Sequence, residues 1–444
     1  MYVTTLELEN VRSFGKLNFD FKRHDDSYAG WTVFLGGNSS GKSTLLKAIA
    51  LALLGPDDGR QLIGPGHGWI SHGEKKAETT ILINRDQVLD TSKGSRGSLA
   101  ASFEAGVRIS VENPETNAYA SLKPIENRNL KGSRVPANRG LWNRNASGWF
   151  SAGYGPMRRL SGNSSESMRY AADRGPVGRF VTLFREDAAL SESEDWLKTN
   201  HSRTLESSQP ALEKLLASVK ELLGDGLLPY GMKIDRITVD HVFVKDSRGM
   251  ELPMRDISDG CRSVYATILD IVHGLYDVYG YDGLFKNRPD GSIYVDRPGV
   301  VLIDEIEAHL HPSWQRDIPY WLKEHFPKMQ FLVTTHSPLV AQAADSNGIF
   351  VLPSLTDTSR EPRRLSDDEH EKIRWGRAEK TLLGTAFGLD STRSSWANQQ
   401  IERWKKLTSK KKATGTLPQS EEIELTNLKS QLEIALEPTP ELEA

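Results

Sequence analysis

Residues Gly36 to Thr44 read GGNSSGKST. Gly36, Gly41, Lys42 and Ser43 hold the fixed positions of the phosphate-binding loop G-x-x-x-x-G-K-[ST]. In such a loop, successive backbone N–H groups and a helix N-terminus make a nest for phosphate oxygens. Lys42 reaches the β- and γ-phosphates as a point charge, and the Ser43 hydroxyl ligates Mg²⁺. A second group of chemistry-bearing residues closes RPGVVLIDE, an apolar run ending in Asp304 and Glu305. A carboxylate at the end of a buried strand beside a phosphate loop can hold Mg²⁺, usually through its water shell. Glu305 is then placed to accept a proton from an attacking water. Phosphoryl transfer is mainly positioning plus charge neutralisation, so few residues are needed.

Two more groups fit the same chemistry. In Ile257-Ser258-Asp259-Gly260, which precedes an amphipathic helix from Ser263 to about Tyr279, Ser258 and Gly260 point a hydroxyl and backbone N–H groups at an anion, helped by the helix dipole. His336, in TTHSP, follows an apolar strand expected beside the one ending in Asp304. That location sets a neutral imidazole near a γ-phosphate, where it can bond phosphate or hold the water. The segment EAHLHP, from Glu307 to Pro312, follows the paired carboxylates directly.

These groups need elements to position them. Trp31 to Leu35 is an apolar strand before the loop, and Leu45 to Leu54 has helical spacing after it. Tyr2 to Glu9 alternates as a half-buried strand, Asn10 to Phe21 reads as a turn and a second strand, and Ala77 to Asn84 as another. Gly55 to Gly68, rich in Gly and Pro, reads as irregular. Between 85 and 148 only short strand-like pieces such as Gly106 to Val111 emerge, and Gly148 to Gly155 looks like a strand returning to the nucleotide sheet. Leu205 to Leu223 has helical spacing, Met232 to Val244 alternates, and a turn at Asp246 to Gly249 suggests a hairpin. Ser313 to Phe326 reads as a helix and Met329 to Ser337 as a buried strand. Trp396 to Lys406 and Ser420 to Leu436 form two helical patterns around Lys410, Lys411 and Lys412.

Composition bounds the rest. The chain has 444 residues, enough for two or three domains. Its single cysteine, Cys261, excludes an intrachain disulfide framework or cysteine zinc site and fits the cytosol. No run of about 18 apolar residues exists, so no membrane partner is expected. The start, MYVTTLELEN, reads as a strand rather than a signal peptide. From Lys123 to Arg185 there are 12 Lys/Arg against three Asp/Glu. That basic region reads equally as a phosphate-binding surface for nucleic acid, a solvated face or a subunit interface.

In order, these motifs resemble the ABC-type ATPase heads of the SMC-like and OLD-like group, over roughly residues 1–84 and 230–352. The fold the resemblance implies is α/β: a P-loop NTPase head with a mixed sheet and helices, an α-helical or irregular insert and a C-terminal helical hairpin. It divides the chain into 1–84, a first lobe with Walker A; 85–229, an insert partly returning to the head; 230–352, a second lobe; and 353–444, a helical region with an acidic tail. It makes Gly36, Gly37, Asn38, Ser39, Ser40, Gly41, Lys42, Ser43 and Thr44 the Walker A motif and Ser258-Asp259-Gly260 the signature. Asp304 and Glu305 become Walker B with its catalytic glutamate, Glu307 to His311 the D-loop, and His336 the switch histidine. The cofactors implied are ATP and Mg²⁺. The assembly implied is a head-to-tail dimer, with the signature of one subunit meeting ATP on the loop of the other. Departures are an SDG signature rather than SGG, no zinc hook, and no obvious Q-loop glutamine; Gln87 is the candidate.

FSAGYGPMRRLSG, TLLGTAFGLDSTRS and the charged helical pair further resemble stand-alone ATPases of bacterial anti-phage systems, of the Septu (PtuA) type, with PARIS-type ATPases similar in build. That resemblance implies a switch controlling a separate nuclease or toxin. Asp367-Asp368 has no strand before it and reads as a helix start or loop, so no nuclease site is expected in this chain. The competing expectation is an ATP-dependent DNA-binding ATPase of the repair or recombination type. A transporter subunit fits poorly, since no membrane-coupling segment is evident.

Overall fold

Three adjacent apolar strands carry the phosphate loop and the groups expected around it. In the computed structural model, which describes residues 1–64, 66–92, 99–111, 121–126, 135–158, 175–353 and 361–435, β3 (Gly30–Leu35), β13 (Gly299–Ile303) and β14 (Met329–Thr334) are almost wholly buried. Continuous burial, without alternation, marks parallel strands covered on both faces. They belong to a six-stranded sheet in the order β16-β15-β3-β14-β13-β7, completed by β7 (Ser151–Tyr154), β15 (Ile349–Val351) and β16 (Arg363–Arg364). Only β16 runs antiparallel to its neighbour. The expected return of GWFSAGYG to the nucleotide sheet is therefore present, as β7 beside β13.

A second, antiparallel sheet has the order β2-β1-β4-β5-β6. Its strands are β1 (Tyr2–Val11), β2 (Phe14–Asp20), β4 (Lys76–Asn84), β5 (Ser102–Ser110) and β6 (Ser121–Pro124). Helix α1 (Lys42–Ile63) packs against strands of both sheets and is buried around most of its circumference. An all-round apolar helix belongs in such a place. The two sheets are also pinned directly. The fully buried Gln330 amide on β14 accepts from the Val3 N–H and donates to the Val3 carbonyl of β1, both at 2.8 Å.

The first helix corrects the expectation of an irregular stretch from Gly55. The helix kinks at Gly55 (φ 76°) and resumes at Pro56, running to Ile63. Proline starts a helical turn without loss, because its missing N–H is unpaired there anyway. Its absence would orphan the Ala52 carbonyl four residues back. The Trp142 indole N–H donates to that carbonyl at 2.9 Å, and its ring fills the space where a Gly55 Cβ would stand.

The predicted helix over 205–223 is instead two, α2 (Ser191–Glu206) and α3 (Pro210–Gly224), because Pro210 begins a new helix and the residue before a proline disfavours helical geometry. A meander of β8 (Lys233–Ile237), β9 (Val242–Lys245) and β10 (Glu251–Pro253) leads into α4 (Asp259–Tyr279). A small hairpin, β11 (Phe285–Asn287) and β12 (Ile293–Val295), precedes β13, and α5 (Pro312–His325) precedes β14. Asp367-Asp368 opens α6 (Asp367–Trp375) behind a Ser366/Glu369 capping box.

Contacts divide the chain into two compact units, Met1–Thr381 and Leu382–Ala444. In the second, α7 (Ser395–Thr414) and α8 (Gln419–Ala435) form the expected helical hairpin. Leu407 and Leu428 are buried, Arg403 grips Glu424 through two bonds of 2.8 and 2.9 Å, and Lys410 pairs with Glu421. No helix among the described residues is long and apolar enough to cross a membrane.

The Gln330 amide gives a direct test. Gln330→Met keeps the volume and strands a buried N–H and carbonyl, so it should destabilise unit 1 by about 1–3 kcal/mol. Denaturant unfolding of the two proteins would measure it.

Candidate nucleotide site

The parallel register of β3, β14 and β13 aligns three strand ends on one edge. Phe34 stands opposite Thr334, and Val333 opposite Ile303. The phosphate loop therefore leaves β3, His336 follows β14, and Asp304-Glu305 follows β13, in that order across the sheet. β14 is the middle strand, so His336 lies between the loop and the paired carboxylates. Tyr154 of β7 ends at the same edge, opposite Ile303.

The loop is built from backbone that ordinary residues resist. Gly41 takes φ 90°, and a Cβ there would stand 2.3 Å from the Phe14 ring. Ser39 also has positive φ, 65°. A Cβ on Gly36 would meet Ser40 Oγ at 2.5 Å. Lys42 curls back over the loop, its Nζ donating to the carbonyls of Gly36 (2.9 Å) and Gly37 (3.0 Å). Burial pulls its ammonium pKa below the ordinary lysine value, against the upward pull of Glu305, Asp304 and Glu307. The first turn of α1 has no side-chain cap, so its N–H groups remain available to an anion. Ser40 Oγ is buried with no partner among the described residues. Burying a lone hydroxyl is costly, and an incoming phosphate oxygen would relieve it. The loop thus fits a triphosphate on its own geometry.

The acidic strand end is braced. Asp304 is 2% exposed and its Oδ1 accepts from Thr334 Oγ1 at 2.5 Å, while that hydroxyl accepts from the Glu305 N–H at 2.8 Å. Glu305 itself has φ 45°, left-handed and strained for a non-glycine residue. Glu307, at the head of EAHLHP, accepts from Thr335 Oγ1 and from the His336 N–H. The acidic segment and the histidine strand end are thereby stitched together. The His336 side chain is exposed at the edge.

Ser258 is the N-cap of α4, with no side-chain cap bond; its Oγ donates to Cys261 Sγ at 3.0 Å. Ser258 and Asp259 are exposed, and Asp259 pairs with Arg262. The helix tip touches its own D-loop: a Cβ on Gly260 would stand 2.4 Å from the His309 carbonyl oxygen. The tip lines an open groove of about 740 Å³ together with His309, His311 and Trp314. Among the described residues, no hydrogen bond or ion pair joins residues 258–260 to residues 36–44. The phosphate loop, paired acids and histidine are brought together in this chain; the serine-bearing helix tip lies against His309, in the segment that follows the paired acids.

Several residues lie elsewhere than sequence reasoning put them. Gln87 is exposed in the turn after β4, at the end of β4 paired with Tyr2. Arg12 and Phe14, against the phosphate loop, mark the opposite end of β1, so Gln87 is remote from the loop. Arg158, one of the cations of the basic region, is buried and directed at the backbone of the acidic strand end. Arg159 and much of the basic stretch fall outside the described residues. Arg12 was not anticipated. Its Nη1 donates to Thr44 Oγ1 at 3.1 Å, its guanidinium lies 4.6 Å from the Trp69 ring centre, and burial lowers its pKa. Nothing periodic marks an arginine in a two-residue turn, so only the loop's neighbours in space reveal it.

Residues 32–341, well over half the chain, match the family described as "AAA domain, putative AbiEii toxin, Type IV TA system". The Septu protein PtuA of Bacillus mycoides (strain KBAB4) is 26% identical over 354 residues, covering 79% of this chain. That alignment spans only 40% of the length of the PtuA protein. The Retron Ec83 probable ATPase of Escherichia coli is 25% identical over 406 residues, covering 79% of this chain and 71% of the relative. Among solved structures, an SMC head bound to the C-winged helix domain of ScpA aligns at 17% identity and a TM-score of 0.48, over 83% of this chain and 99% of that one.

The Gly260 contact yields a test. Gly260→Ala drives a methyl into backbone rather than a flexible side chain, so either the helix tip or residues 307–311 must shift. Hydrogen exchange of the amides in 307–311 should rise relative to the parent.

Proposed function

This chain belongs to the AAA-domain family that matches its residues 32–341, and from that premise we propose that it is an ATP-hydrolysing switch, dimerising head to tail around ATP and controlling a separate nuclease or toxin in bacterial anti-phage defence. The observation that carries the reading is the row of three strand ends: phosphate loop, histidine, paired acids. The defence context is drawn from relatives named as Septu protein PtuA and as retron ATPases.

In this reading residues 36–44 cradle the triphosphate with backbone N–H groups and Lys42. Ser43 and Asp304 would hold Mg²⁺, which would supply charge neutralisation. Glu305 takes the proton of the attacking water, and His336 hydrogen-bonds the γ-phosphate or that water. Ser258, Asp259 and Gly260 act on the site of a second copy. The uncapped start of α4 suits an anion arriving from outside. The chain acts on ATP and leaves nuclease chemistry to its partner.

The alternative is a DNA-binding ATPase, supported by the basic stretch from 123 to 185. At least three of its twelve cations are engaged internally: Arg158 is buried, Arg179 donates its Nε to the Ser151 carbonyl, and Arg144 pairs with Asp58. Duplex-stimulated turnover with a steep loss in salt would favour the alternative.

Two substitutions test the leading reading. Lys42→Ala should weaken ATP affinity by roughly 10- to 150-fold, the effect of losing a charge-assisted contact, measured by titration calorimetry. Glu305→Gln should retain ATP, accumulate as a dimer by light scattering, and lose about 10²- to 10⁴-fold in turnover; parental turnover would refute the assignment.

A further inference from the structure

We propose that Arg158 is a positioning residue for hydrolysis: its guanidinium holds the left-handed backbone at Glu305 and ties that backbone to the signature helix α4. The inference rests on the reading of Glu305 as the proton acceptor. It assigns Arg158 no contact with ATP.

The geometry uses the whole side chain. An arginine has five N–H donors in a rigid planar fork. Here Nη1 donates to the carbonyls of Gly155 and Asp304, both at 2.9 Å, and Nη2 to those of Glu305 (3.2 Å) and Ile306 (3.1 Å). Nε donates to Ser263 Oγ on α4 at 3.3 Å. Five donors meet five acceptors in a residue only 5% exposed. The three consecutive carbonyls from 304 to 306 flank the one non-glycine residue of the acidic strand end held at φ 45°. Such a conformation persists only where the surroundings over-determine it. Thr334 restrains the same peptide from the opposite side, by accepting the Glu305 N–H.

The chain reaches this place by register. Tyr154 of β7 pairs with Ile303, so the turn after β7 delivers residue 158 over residues 304–306. Burial lowers the guanidinium pKa to about 10, with Glu307, Asp304 and Glu305 pulling it up, so it stays charged at neutral pH. Ser263 lies one helical turn beyond Gly260. A shift of the α4 tip on engaging an anion therefore has a one-side-chain route to the backbone that aims the Glu305 carboxylate.

Arg158→Lys keeps the charge and loses the fork. It should lower kcat for ATP about a hundredfold, the order expected of an ångström-scale misplacement, while a non-hydrolysable ATP analogue with Mg²⁺ binds as in the parent. Ser263→Ala removes only the link to α4; it should lower kcat severalfold with KM unchanged. Parental kcat in Arg158→Lys overturns the inference, as does an equal loss in analogue affinity and kcat, which would mark a general packing role. Should Arg158→Lys fail to fold by circular dichroism, Ser263→Ala decides: reduced kcat at unchanged KM supports the inference, and parental kcat overturns it. Inactive Glu305→Gln beside fully active Arg158→Lys sinks the positioning role alone. An active Glu305→Gln sinks the general-base reading and this inference with it.

Discussion

The parallel pairing of β14 between β3 and β13 is the constraint on which the site depends. Slide β14 by one residue and its side chains exchange faces, which moves Thr334 off the acidic strand end. Thr334 then reaches neither Asp304 nor the Glu305 amide. The register is held by burial on both faces of each strand and by Gln330, which grips the other sheet through both polar groups of Val3. The chemistry at the edge is thus set from inside the sheet, by residues that would never contact a nucleotide.

Much of this was legible in the residues. The apolar runs before Gly36, Asp304 and His336 have the length and composition of buried strands, and all three are strands of one sheet. Their motifs are local, so each could be read where it stands. The order of the strands could not, because it depends on β3 pairing with β14, Gly30 opposite Gln330, far apart in the chain; only the neighbourhood of the last two was inferred. Glycine and proline misled at two points. Gly55-Pro56 bends a helix that continues, because Trp142, far along the chain, replaces the lost hydrogen bond. Pro210 starts a helix inside a run of helical spacing.

Arginines were the least legible residues. Arg12 and Arg158 look alike in a charge count, yet one lies against an indole beside the phosphate loop and the other is sunk in backbone carbonyls. Guanidinium groups serve both purposes because they are weakly hydrated and geometrically rigid. Which purpose is served depends on the acceptors that the fold brings near, and those are remote in sequence. The same reasoning tempers any reading of the basic stretch from composition.

The contact of Gly260 with the His309 carbonyl has a wider bearing. Main chain meets main chain there, with no side chain between to act as a cushion. At a joint of that kind a displacement of the helix tip would pass directly to the strap from 307 to 311, as along a lever. With Glu307 fastened to the His336 amide, the lever's other arm rests beside the imidazole. Drift at such a joint cannot be absorbed by swapping one side chain for another, so lineages that alter the strap should alter the helix tip in step.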